Sequence, residues 1–245
     1  MKSILYILSL ILAATFQGIG QETVLTPKNN PVGPKMVESE SYKMAWYMLN
    51  GDQRMDIGLV QTEIQENGSE IVILTTVDMQ GAPTTWVDST IVEAKSFKPI
   101  YHASYNPQRD MVLQFSKEVT GYYLDKASNT KKEISEEVDE PFFDSNFYPQ
   151  LIRWLPLKVG YSTTIAIFDY NPKSEIGVMT ATIKNTEQTS LMLDGTKKRV
   201  WKVTVTDDIS KNTAVSTYYI DQDSRKVLKQ EIEVSGRKMI MERID

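Results

Sequence analysis

The sequence predicts a mainly β protein: a single, strongly curved antiparallel sheet, an incomplete barrel, with one short helix laid across its concave face. Three observations carry this. From Tyr42 onward, runs of roughly five to ten residues rich in Val, Ile, Thr, Tyr and Trp are separated by turn residues, the pattern of antiparallel strands. One segment alone, DSNFYPQLIRWLP from Asp144 to Pro156, carries a helical stripe. A single amphipathic helix inside a long meander has only the concave side of that sheet on which to bury its stripe.

Residues 1–20 stand outside the fold prediction. Lys2 supplies a positive start, Ile4 to Phe16 an apolar stretch, and Gly18-Ile19-Gly20 small residues before Gln21, the pattern of a signal peptide cleaved near Gly20/Gln21. Export to a periplasm or to the medium is expected. No later segment reaches the roughly 18 consecutive apolar residues needed to cross a bilayer, so a protein not integral to the membrane is expected. Residues 21–40 hold Pro27, Pro31, Gly33 and Pro34 with little apolar periodicity and read as a flexible lead-in.

The β domain is expected over residues 41–245. Lys43 to Leu49 places Met44, Trp46 and Met48 on one face, and Asn50-Gly51 then makes a tight turn. In Arg54 to Ile64 the apolar face changes parity between Leu59 and Val60, which predicts a bulge or bend near Gly58. Asn67-Gly68 turns the chain into Glu70 to Met79, apolar on both faces. Further strands are expected at Thr84 to Val92, Pro99 to Tyr105, Met111 to Phe115 and Gly121 to Leu124. After the helix come Tyr161 to Phe168, Glu175 to Ile183, Arg199 to Thr206, Ala214 to Ile220, Lys226 to Val234 and Lys238 to Ile244. Asp194-Gly195 and Ser235-Gly236 are turns between them. In the helix, near residues 145–155, Phe147, Leu151, Trp154 and Leu155 form the stripe, Asp144 or Ser145 is the expected cap, and Pro156 the stop.

The run from Asp144-Ser145 through Leu151-Ile152-Arg153-Trp154-Leu155 to Gly160, the late Tyr219-Ile220-Asp221 with Arg225-Lys226-Val227-Leu228-Lys229-Gln230, and the closing strand after Ser235-Gly236 resemble the exported bacterial domain-of-unknown-function family numbered thirty-one-oh-eight. More distantly the chain resembles the LolA/LppX-like half-barrel lipoprotein carriers. The resemblance implies an unclosed β-barrel whose concave apolar face accepts acyl chains, with the helix as lid or plug.

Composition excludes several functions. With 27 Lys+Arg against 32 Asp+Glu, a net charge of −5, nothing favours nucleic-acid binding. With no cysteine and a single histidine, thiolate metal sites, disulfides, thiol catalysis and multi-histidine metal sites are absent, so no metal and no cofactor is expected. His102 would share a strand face with Ser104, but nucleophile and base two apart on one strand make a poor triad, and no Gly-x-Ser-x-Gly elbow is present. A structural histidine is the reading, no catalytic residue is assigned, and the protein is expected not to be an enzyme. Asp221 to Arg225 begins like a calcium loop, but Arg225 and Ile232 occupy ligand positions, so it reads as a hairpin turn. The acidic run Glu133, Glu136, Glu137, Asp139 and Glu140 reads as a solvated loop, or else as a collector of divalent cations or a negative docking patch.

What remains is aromatic and thioether. Trp46, Met48, Trp86, Phe147, Leu151, Trp154, Trp201 and Val203 either fill the core between sheet and helix or line a cavity for a flexible apolar guest. The expected function is binding of a lipid, acyl chain or other hydrophobic or amphipathic small molecule inside the curved sheet. The alternatives are an envelope interaction protein with a packed interior and an envelope protein partner, and a carbohydrate-active enzyme. Interior space discriminates among them: an apolar void for the carrier, none for the interaction protein, a polar cleft with facing carboxylates for the enzyme.

Overall fold

The structure is a computed structural model that describes residues 23–51 and 53–244. The expected signal peptide and its cleavage point lie outside the described residues. Fifteen strands follow in order: β1 (Glu40–Asn50), β2 (Gln53–Glu66), β3 (Glu70–Met79), β4 (Trp86–Glu93), β5 (Pro99–Tyr105), β6 (Arg109–Phe115), β7 (Glu118–Asp125), β8 (Thr130–Glu137), β9 (Phe143–Asp144), β10 (Thr163–Tyr170), β11 (Ile176–Leu193), β12 (Thr196–Asp207), β13 (Ala214–Asp221), β14 (Val227–Val234) and β15 (Arg237–Arg243). Among the described residues one α-helix, α1 (Tyr148–Trp154), stands between β9 and β10, and two short 3-10 helices, Pro27–Asn29 and Pro34–Met36, precede β1. No helix among the described residues is long and apolar enough to cross a membrane.

All strands belong to one sheet, ordered β8-β7-β6-β5-β4-β3-β2-β1-β15-β14-β13-β12-β11-β10-β9. Two meanders are therefore joined through their termini, with Met44 opposite Arg243 and Leu49 opposite Lys238. Turn chemistry fixes the hairpins. Asp194-Gly195 and Ser235-Gly236 both take positive φ, the left-handed pair that matches strand twist in a two-residue turn. The bulge predicted near Gly58 is present: Trp46 faces Gly58 but Tyr47 faces Asp56, so Ile57 is the extra residue. Gly58 is also required sterically, since a Cβ there would meet the Asp78 carbonyl oxygen at 2.2 Å.

The outermost strands, β8 and β9, are not hydrogen-bonded to each other, so the sheet is not closed. Side chains close it instead. Phe115 of β6 meets Phe168 of β10 edge-on at 5.9 Å, and Tyr123 of β7 meets Tyr170 of β10 at 6.3 Å. Such contacts between strands near opposite ends of the sheet order require the sheet to curl round on itself. Met111, Leu113, Ile134, Phe168 and Tyr170 bury a second apolar cluster along this seam.

Inside the curl lies α1. Its stripe residues Phe147, Leu151, Trp154 and Leu155 are all buried, among Met44, Ile64 and Ile73 of one arm and Ile165, Ile183 and Val203 of the other. Phe97, from the β4–β5 turn, adds a residue that the pattern does not reveal: held at φ 60°, it packs 5.3 Å from Phe147 and 5.8 Å from Trp154. Polar groups fix the helix from three sides. Gln150 Nε2 donates to Tyr42 Oη at 2.7 Å, and Tyr148 Oη donates to Asp207 Oδ2 at 2.7 Å. Arg153 Nη1 contacts Glu40 Oε1, and Arg243 Nη2 stands 3.6 Å from Glu40 Oε2.

Three expectations need correction. Neither Asp144 nor Ser145 caps the helix: Phe147 is the N-cap and makes no side-chain bond, while Asp144 is drawn into β9 beside Phe168. The lead-in is not a loose spacer, because Leu25 bridges to Ile165 of β10, and Leu25, Val32 and Val37 are buried. Three apolar residues in a proline-rich segment make no periodic signal, yet each finds a place on the barrel. Glu133, Glu136 and Glu137 lie not in a loop but in β8, whose single buried residue is Ile134. A charged strand of this kind suits a sheet edge, where it discourages pairing with other chains.

Candidate functional site

Most of the residues first read as ligand lining pack into the core around α1. Phe147, Leu151, Trp154 and Val203 belong to the packed core, with Trp46 and Trp201 lying half-buried against it. Met48 is half-buried opposite Met239 of β15. Of the residues read as candidate lining, Trp86 and Trp154 border cavities, and these are two separate cavities.

Trp154 borders a groove of about 550 Å³ at the mouth of the barrel, where the lead-in passes the end of α1. Val32 and Met36 form one wall, and Trp154, Leu155 and Pro156 the other. Lys35 and Arg225 stand on its rim and are shared with a neighbouring polar hollow of about 270 Å³, lined further by Lys226 and Arg153 and by the acids Glu38, Glu40 and Asp223. Arg225 reaches the rim because the β13–β14 turn is tightly wound. Asp221 accepts from the Ser224 backbone N–H at 2.7 Å and the Asp223 N–H at 3.1 Å, and Arg225 closes the turn with φ 60°. One guanidinium nitrogen, Nη1, donates to the Leu155 carbonyl oxygen at 3.4 Å. Among the described residues no carboxylate lies within ion-pair distance of Arg225, Lys35 or Lys226, whereas Asp223 is taken by Arg199 and Glu40 by Arg153 and Arg243. Burial alone therefore lowers the Arg225 pKa, and no neighbouring acid offsets it. The groove combines apolar walls with a cationic rim on a protein of net charge −5.

Trp86 borders a different cleft, of about 270 Å³, at the seam where β5–β7 approach β9 and β10. His102 lies here and is buried. Its Nδ1 is 3.0 Å from Asp144 Oδ1, and Asp144 also accepts from Thr90 Oγ1 at 3.2 Å and from the Asn146 N–H at 3.2 Å. Burial works against a charged imidazole, but the charge and hydrogen bond of Asp144, helped by Asp88, outweigh burial and raise the His102 pKa above its ordinary 6.5. Asp169 is raised above the usual carboxylate range, chiefly by burial. Ser104 is buried beside them, and its Oγ has no hydrogen-bond partner, so it is not coupled to His102 as a nucleophile to its base. Sequence reasoning missed the His102–Asp144 pair because Asp144 reads as a helix cap; the signal available was the chain's one histidine, placed in a strand. Among the described residues no group of acidic or histidine side chains is placed to hold a metal ion.

Comparison with known proteins agrees with this architecture. No curated protein matches the chain. Among solved structures, a beta-barrel-like protein of the domain of unknown function DUF1849 from Brucella abortus superposes with a TM-score of 0.55 at 12% identity, over 84% of this chain and 96% of that one. That likeness is one of fold. The family model of DUF3108, proteins of unknown function, matches residues 41–242, from the first residues of β1 almost to the end of β15. Since the match takes in both meanders, the enclosed helix and the seam, the chain belongs to the DUF3108 family.

Proposed function

We propose that this protein is exported to the cell envelope and binds an amphipathic anion, an acyl chain with an acidic head, without transforming it. The chain lies along Val32, Met36, Trp154, Leu155 and Pro156, and the head sits over Lys35, Arg225 and Lys226. The observation that carries this reading is Arg225, a half-buried cation with no acid partner at the edge of an apolar groove. Such a cation is satisfied by a ligand that brings its own negative charge. Each Å² of acyl surface removed from water adds on the order of 25 cal/mol, so the apolar wall supplies affinity and the rim supplies selection for charge. The N-terminal pattern of Lys2 and the apolar stretch to Phe16 supports export.

Calorimetric titration with laurate and with dodecanol tests the reading. Laurate is expected to bind in the micromolar range and dodecanol about tenfold or more weaker, as a charge-assisted contact implies. Arg225→Met, which keeps the apolar stem, is expected to remove most of that preference. Equal binding of the two probes, an unchanged preference in Arg225→Met, or no binding of laurate would overturn it.

A further inference from the structure

The seam cleft is a second place where polar groups are left without partners, and its chemistry differs from that of the groove. Ser104 is 1% exposed, lines the cleft and has an Oγ with neither donor nor acceptor beside it. A buried hydroxyl without a partner is costly, and a polar group brought into the cleft would relieve that cost. Arg109 also faces the cleft. Its Nη1 rests 3.4 Å from the sulfur of Met111, a weak acceptor, and among the described residues no carboxylate lies within ion-pair distance of it. Two carboxyls have capacity to spare. Asp88 uses Oδ1 to accept from Trp86 Nε1 at 2.8 Å, and Asp169 uses Oδ1 to accept from Ser145 Oγ at 2.8 Å, which leaves the second oxygen of each.

The cleft therefore offers two acceptors, a guanidinium donor and a hydroxyl that can do either, between the aromatic side chains of Trp86, Tyr123 and Tyr170. A simple cation would meet Arg109 and the His102 imidazole; a simple anion would meet Asp88 and Asp169. A neutral molecule with adjacent hydroxyls satisfies both sets, because each hydroxyl donates to a carboxylate while accepting from a guanidinium or a serine. The carbon–hydrogen face of such a molecule would lie against the aromatic walls. At about 270 Å³ the space is below the roughly 300–1,000 Å³ of most small-molecule sites, enough for one ring and not for a chain.

We propose that the seam cleft binds a single ring of a neutral saccharide, with Asp88, Ser104, Arg109 and Asp169 as its hydrogen-bonding groups and Trp86 as a stacking wall. This site is independent of the groove at the barrel mouth.

The chain has one histidine, so the imidazole signal of His102 is unambiguous in a proton NMR spectrum. At fixed pH the intact protein is titrated to millimolar concentration with methyl glucoside, galactose and N-acetylglucosamine, and separately with choline and inorganic phosphate as cation and anion controls. At least one saccharide is expected to shift both His102 Hε1 and the Trp86 indole N–H in a saturable way, with the controls inert. Ser104→Ala and Asp88→Asn, checked for a native amide spectrum, are each expected to weaken that binding about tenfold, the value of a lost hydrogen bond to a charged or desolvated partner. Should either variant fail to fold, the other decides. The proposal is overturned if no saccharide moves both signals, if choline or phosphate moves them more strongly, or if the folded variants titrate as the parent does.

Discussion

His102 of β5 and Asp144 of β9 form a buried contact, Nδ1 to Oδ1 at 3.0 Å, between residues 42 positions apart in the chain. The pair bridges the two arms of the sheet across a seam that has no backbone ladder between β8 and β9. It ties the curl together with a hydrogen bond where strand pairing is missing.

The pair makes stability depend on pH. Because the folded-state pKa of His102 is raised above 6.5, folding favours the protonated ring. The resulting stability is full below the unfolded value and is lost as pH rises through the folded one. Proton NMR of the lone histidine is expected to give a midpoint above 6.5, and urea midpoints are expected to fall across the same interval. In Asp144→Asn, burial is left unopposed by that charge, and the midpoint is expected to drop below 6.5. A wild-type midpoint at or below 6.5 would sink this account.

The seam is held by aromatic contacts, so it is expected to loosen when one is removed. Phe168 is fully buried and touches both Phe115 and Phe142. Phe168→Ala is expected to cost about 3–5 kcal/mol in urea unfolding. Amide exchange should accelerate in β6–β8 more than in the central β1–β2 pair; uniform acceleration would show that the arms do not open separately.

Glu40 binds the helix to the sheet. Arg153→Met leaves that buried carboxylate with Arg243 at 3.6 Å and is expected to destabilise by about 3–5 kcal/mol. Adding Glu40→Gln removes the carboxylate that has lost its nearer partner and should recover part of the loss. If the double variant is as unstable as the sum of two singles, the coupling inferred from the contact is absent.

Gly121 in β7 has φ 151°, and a Cβ there would fall 1.9 Å from the Val112 carbonyl oxygen of the neighbouring strand. Gly121→Ala is expected to cost at least about 1–3 kcal/mol, through strain and separation of β6 from β7. Gly33, with nothing within 4 Å of its added Cβ and an ordinary φ, serves as the control and should change stability by less than about 0.5 kcal/mol. Denaturant midpoints of the two variants compare them directly.

The Gly58 bulge followed from a change in apolar parity, and the two-residue turns at Asp194 and Ser235 followed from local backbone preference, so both were readable from neighbours in the chain. β8 was not readable, because TKKEISEE holds one apolar residue and an edge strand needs no more. The extension of β11 as far as Leu193 was not readable either, because Lys184 to Ser190 is polar and, apart from the buried Thr186, exposed. Phe97 gave no sign that a turn residue would pack against the helix, since its position depends on the strands on either side.

By itself the sequence determined that this chain makes many antiparallel strands and one amphipathic helix, because alternation and helical spacing are local properties that the hydrophobic effect reads directly. Tertiary structure decided that β1 would lie beside β15, that side chains rather than backbone would close the curl, and that an apolar groove would open beside the end of α1. It also decided that Asp144 would face His102 and that Arg225 would stand without an acid. Those outcomes depend on which distant surfaces meet when the sheet bends, and no local periodicity encodes them.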